Sequence, residues 1–138
     1  MTRQKYSKEF IVGIDVGGTN IKILIMTSSF SVVHFSSIAT EAKRGYDVIS
    51  DNIISEIEAV FTHNSMCDSK IAAIAMGLPG TVFIEEQLTG DYLSVLGWSH
   101  CNPCKKIGEH FNAPCRIDND ANLNALGEYS FGINKRVP

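Results

Sequence analysis

Acidic, hydroxyl and glycine residues meet at Asp15-Val16-Gly17-Gly18-Thr19 in an order that suits phosphate chemistry. The stretch closes an apolar run, Phe10 to Ile14, and opens another, Ile21 to Met26. A carboxylate at the end of a buried strand is costly unless something compensates it. Two glycines permit a sharp turn and let a ligand approach the backbone closely. Thr19 adds a hydroxyl, and successive backbone N–H groups can form a nest for an anion. Strand, acid, Gly-Gly-Thr, strand reads as a phosphate-handling hairpin or, equally, as a plain tight turn. It matches neither G-x-G-x-x-G nor G-x-x-x-x-G-K-[ST], and strand rather than helix follows it.

A second constellation is Asn119-Asp120-Ala121-Asn122, after a short strand and at a helix start. Capping alone accounts for it: Asp118 or Asn119 can accept from free helix N–H groups, and Asp120 suits the dipole. The same residues could do chemistry, with Asp120 as a general base and Asn119 as donor and acceptor to a sugar hydroxyl. Gly77-Leu78-Pro79-Gly80 ends a third strand, as an ordinary loop or as a backbone wall beside a ligand. Ligands of α/β sheets bind beyond the carboxyl ends of strands. Three such loops could therefore share one crevice.

The elements that must position these residues are legible from periodicity. Residues 10–16, 20–27 and 31–38 read as three strands in an antiparallel meander. Val48, Ile49, Ile53, Ile57, Val60 and Phe61 recur at helical spacing over 46–62, with Asp47, Asp51, Glu56 and Glu58 on the wet face. Residues 71–77 form a continuous apolar strand, and 81–98 are irregular with a small hairpin near Gln87. A short helix is expected from Pro103 to Phe111, then a strand at 114–117 and a helix running to about Ser130. The order β-β-β-α-β-α-β-α predicts an α/β fold, a mixed five-stranded sheet with flanking helices. The polar residues 1–9 are expected to be a tail, and 10–138 a single domain.

Composition excludes several classes. Apolar residues make up 44% and charged residues 20%, with a net charge of −3, so nothing invites nucleic acid or an anionic membrane. No apolar run could span a bilayer and no secretory leader is evident, so a cytoplasmic location is expected. Cys101 and Cys104 form a C-x-x-C flanked by His100 and His110. No second ligand pair stands at zinc spacing, so no zinc site is expected and the cysteines read as free thiols at a helix start.

Taken in order, Gly13 to Thr19, Gly77 to Gly80, Leu96-Gly97-Trp98, Asn119 to Asn122 and Gly127-Glu128 resemble the N-terminal lobe of a repressor–ORF–kinase (ROK) family sugar kinase. The likeness to glucokinases and N-acetylmannosamine kinases implies an actin-like ATPase (ribonuclease H-like) fold. It implies that Asp15, Gly17, Gly18 and Thr19 face ATP phosphates, with Asp15 helping to hold Mg²⁺ directly or through water. Asp120 matches the catalytic base, which also touches the sugar; Asn119 matches a residue binding ring hydroxyls, and Gly80 one lining the sugar pocket. The implied substrate is a hexose or N-acetylhexosamine. Ser94 and Phe83 stand where the family often has Asn and Asp, which bears on sugar identity.

Family kinases continue into a second lobe, with the adenine pocket and a structural zinc cluster. Its absence here predicts a truncated chain with little activity alone, and a homo-oligomer or a separate second lobe as partner. Repressors of the family carry a helix-turn-helix ahead of the phosphate motif, for which the residues before Asp15 are too few. A non-catalytic sugar-sensing or interaction module is the alternative.

Overall fold

The three leading apolar runs form β1 (Glu9–Val16), β2 (Asn20–Thr27) and β3 (Val32–Ala39) in a computed structural model that describes residues 9–91 and 95–132. β1 pairs antiparallel with β2, and β2 with β3, which is the expected meander. After α1 (Tyr46–His63) the chain returns through β4 (Lys70–Leu78), parallel to β1. β5 (Val82–Phe83) and β6 (Leu88–Thr89) form a separate two-stranded hairpin. α2 (Lys105–Phe111) leads to β7 (Cys115–Asn119), parallel to β4, and α3 (Asp120–Phe131) follows without a break. The main sheet is five-stranded and mixed, in the order β3-β2-β1-β4-β7.

Alternation along the strands assigns the two faces. Phe10, Val12, Ile14 and Val16 of β1 are buried, as are Ile21, Ile23 and Ile25 of β2 and Ile71, Ile74, Met76 and Leu78 of β4. α1 covers this face with Ile49, Ile53, Ile57 and Val60, and Phe61 meets Phe10 edge-on at 5.6 Å. α2 lies beside α1. Its Lys106 amine reaches Asp47 at 3.1 Å and Asp51 at 2.8 Å, so two carboxylates of the wet face serve as a helix–helix bridge. α3 crosses the opposite face, and its Phe131 touches Phe30 in the β2–β3 turn, ring centroids 5.3 Å apart. Phe35, Leu126 and Tyr129 remain exposed on that side.

Several boundaries differ from expectation for physical reasons. Glu9 belongs to β1, in register with Lys70, rather than to a tail. α2 starts at Lys105, because Asn102 Oδ1 accepts from the Cys104 N–H at 2.9 Å and holds Pro103 in a preceding turn. β7 runs to Asn119, since β4 offers partners as far as Leu78. The expectation of free thiols is corrected at Cys104. It pairs with Cys115 in a disulfide with Cα atoms 5.8 Å apart, while Cys101 and Cys67 remain free. The pairing follows from the fold: α2 turns back so that β7 begins beside the residue that precedes the helix.

Candidate functional site

Register across the sheet places Ser37, Lys22, Asp15, Gly77 and Asp118 side by side on β3, β2, β1, β4 and β7. Residues in register share a face, here the one opposite α1. Asp15 is thus the sole carboxylate on β1 at the open face near the strand's carboxyl end, and it is about half exposed. Lys22, its cross-strand partner, reaches it at 3.7 Å with both side chains more than half exposed. An exposed pair of this kind contributes at most about 1 kcal/mol, so Lys22 is a local cation rather than a lock.

The next strand in the row carries Gly77, which makes the gap. A Cβ there would lie 3.2 Å from Leu123 Cδ1, 3.6 Å from Asp120 Cα and 3.8 Å from Asp120 Cβ. The first turn of α3 therefore rests on a bare strand position, and Asp120 sits above the strand neighbouring Asp15. Adjacent strands are about 5 Å apart, so Asp120 lies over the strand next to the one that carries Asp15. About a hundred residues separate them in sequence; the β1–β4 register and the seat of α3 on Gly77 place them over neighbouring strands.

The Gly-Gly turn is braced by Thr40, the residue that follows β3. Gly17 donates to Asn20 O at 2.9 Å, and a Cβ on Gly17 would meet that oxygen at 2.9 Å. Thr40, fully buried, donates its N–H to Thr19 O at 2.9 Å and its hydroxyl to Gly17 O at 2.7 Å. Gly18 has nothing within 4 Å of where a Cβ would be, so space stands open above the turn.

Asn119 caps α3, as one of the sequence readings had it. Its Oδ1 accepts from Ala121 N at 2.9 Å and Asn122 N at 3.3 Å, and its Nδ2 donates to Gly80 O at 2.8 Å. Both donor and acceptor were expected for a ligand. The cap occupies the acceptor, and one N–H remains. Asp120 Oδ1 accepts from Ala121 N at 2.8 Å. Asp118 Oδ1 accepts from Asn119 N at 2.6 Å and Asn122 Nδ2 at 3.1 Å, so it orients the first turn. Gly80 adopts a left-handed φ of 94° that carries its carbonyl towards Asn119.

Leu96-Gly97-Trp98 does structural work. Trp98 is fully buried, and its carbonyl accepts from the buried Thr89 hydroxyl, which also bonds Cys101 O at 3.1 Å. Phe83 lies on β5, half exposed; Ser94 lies outside the described residues. Sequence reasoning missed Lys22 and Thr40, placed Gln87 only in a hairpin, and offered Asp118 only as an alternative cap. Only Asp118 had a local signal, as the residue before the cap. Among the described residues no three His, Cys, Asp or Glu side chains gather as a metal site. A single carboxylate such as Asp15 could hold Mg²⁺, which takes one or two carboxylates and fills its shell with phosphate oxygens and water. A surface hollow of about 450 Å³, lined by Phe61, Cys67, Lys70 and Phe111, lies at the far end of β1 and β4.

A mixed sheet led by a glycine-turn hairpin, with helices on both faces, is the actin-like ATPase fold shared with sugar kinases. The ROK family model matches residues 11–138, and the chain belongs to the ROK family. It is 34% identical over 123 residues to the glucokinase of Halalkalibacterium halodurans, covering 88% of this chain and 37% of that one. The xylose repressor of Caldicellulosiruptor bescii is 27% identical over 88% of this chain and 30% of its own. A ROK glucokinase from Streptomyces griseus, solved with glucose and AMPPNP, superposes with a TM-score of 0.66 at 25% identity. That match covers 91% of this chain and 38% of the solved one. The chain thus spans less than two fifths of the length of each of these relatives.

Proposed function

We propose that the chain is the sugar-binding lobe of an ATP-dependent kinase for a hexose or N-acetylhexosamine, acting in the cytoplasm. The observation that carries this reading is that Asp120 is seated over Gly77, the β4 residue in register with Asp15. Phosphoryl transfer needs charge screening at the phosphates and an oriented nucleophile. Asp15 would hold Mg²⁺, directly or through water, and Mg²⁺ would supply the screening of ATP's charge. The Gly17 N–H is engaged within the turn, so phosphate contact falls to Gly18 and Thr19. Asp120 keeps Oδ1 on its own helix, which leaves Oδ2 to take the proton of a sugar hydroxyl. The remaining Asn119 N–H and the Gly80 backbone would touch the sugar.

Transfer is proposed for the kinase assembled with a second, nucleotide-binding lobe, and these 138 residues alone are expected to turn over little or nothing. The partner would be that lobe or a second copy of the chain, which the exposed Phe35, Leu126 and Tyr129 favour. The net charge of −3 disfavours nucleic acid as a partner. No helix among the described residues is long and apolar enough to cross a membrane.

ATP consumption with glucose, N-acetylglucosamine and N-acetylmannosamine, with and without a separately expressed second lobe, tests the reading. The pair should turn over one sugar. Asp120→Asn should lower that rate on the order of 10²- to 10⁴-fold while sparing sugar binding. Silence on every sugar by a pair that still binds one would favour a non-catalytic sugar-sensing module. The match to a xylose repressor is what recommends that second reading.

A further inference from the structure

β7 is an edge strand of the main sheet, and the outward backbone groups of such a strand need partners. At Ile117 both come from one side chain. Gln87 Oε1 accepts from the Ile117 N–H at 2.7 Å, and Gln87 Nε2 donates to Ile117 O at 3.1 Å. A primary amide has the donor and acceptor of a peptide group, so Gln87 imitates one residue of a further strand. The same Nε2 donates to Ile84 O at 2.8 Å, which closes the tip of the β5–β6 hairpin. Gln87 holds a left-handed φ of 55°, a conformation uncommon outside glycine. Two residues along β7, Asn119 Nδ2 holds Gly80 O, at the start of the same hairpin. Its other end is anchored by the buried Thr89 hydroxyl.

We propose that Gln87 is a positioning residue of the substrate site. It fixes the hairpin to β7 so that the Gly80 wall and the Asn119–Asp120 helix start move as one body. Its place in a substrate site rests on the sugar-kinase reading; the mechanical coupling does not. Ile117 takes both bonds of the clamp, and Asn119 and Asp120 follow two and three residues later. The clamp at Ile117 therefore lies on the same strand as the cap, two residues before it.

Amide exchange and chemical shifts of the ¹⁵N-labelled chain, for wild type, Gln87→Met and Gln87→Glu, test the coupling. Gln87→Met should speed Ile117 exchange about tenfold, as for the loss of one net hydrogen bond. It should also shift the Asn119 Nδ2 and the Ala121 and Asn122 amide signals. Gln87→Glu keeps the acceptor, so it should restore Ile117 protection in part and still fold if the Met variant does not. Faster exchange at Ile117 with an unmoved Asn119 cap would reduce Gln87 to a local plug and overturn the proposal, as would unchanged exchange at Ile117. A glucose titration adds the functional arm: Gln87→Met should weaken binding about 3- to 10-fold, with Gln87→Glu between. Equal affinity in all three would also overturn it. A wild type that binds no sugar would sink the sugar reading and leave the amide result to decide the coupling.

Discussion

Replacing Asn119 separates the two structural duties of that side chain. Asn119→Ala removes the α3 cap, in which Oδ1 accepts from Ala121 N at 2.9 Å and Asn122 N at 3.3 Å. Loss of such a cap costs about 1 kcal/mol. It also removes the 2.8 Å bond from Nδ2 to Gly80 O, a part-exposed neutral bond of about 0.5–1 kcal/mol. The sum is about 1.5–2 kcal/mol. Asn119→Ser keeps a capping oxygen and loses only the Gly80 bond, so it should cost about 0.5–1 kcal/mol. Urea unfolding of a small domain has a slope of about 1–3 kcal/mol/M, so the Ala variant should unfold roughly 1 M earlier and the Ser variant about a third to a half as much. An Ala midpoint within about 0.2 M of wild type, or a Ser variant as damaged as Ala, would refute this division.

Other outcomes follow from the same geometry. Gly77→Val drives methyl groups into Leu123 and Asp120 and should cost about 1–3 kcal/mol by overpacking, read by thermal unfolding; a variant as stable as wild type would contradict the close seat of α3. Thiol titration of unreduced, unfolded protein should find two free thiols, Cys67 and Cys101, and four after reduction. Reduction should cost about 3 kcal/mol for a loop of this length. Burial pushes the Cys101 thiol up, which lowers its thiolate fraction, so iodoacetamide at pH 8 should label the exposed Cys67 first. Asp51 and then Asp47 raise the Lys106 amine above its ordinary value. Its stabilisation is complete below the unfolded-state value of about 10.4 and is lost as pH rises through the folded one. As pH rises, the stability gap between wild type and Lys106→Met should therefore persist until strongly alkaline pH.

Most of the fold was legible because its signals are local. Continuous apolar runs at Phe10 to Ile14 and Ile71 to Met76 mark strands covered by helices, and the α1 spacing names its own buried face. The Gly17-Gly18 turn and the Asn119 cap were readable for the same reason. What escaped joins distant parts of the chain through space. Thr40 braces a turn more than twenty residues before it, and Gln87 clamps a strand thirty residues after it. Cys104 and Cys115 meet only because α2 turns back on β7. The seat of Asp120 beside the Asp15 strand depends on Gly77, whose missing side chain leaves no periodic signal.

A glucose titration of the ¹⁵N-labelled chain, repeated with N-acetylglucosamine and N-acetylmannosamine, tests the central claim most directly. One of these sugars should move the Gly80, Asn119 and Asp120 amides in a saturable way, and Asp120→Asn should bind it with similar affinity. If all three sugars at saturating concentration leave those amides unmoved, the surface around Gly80, Asn119 and Asp120 is not a sugar site.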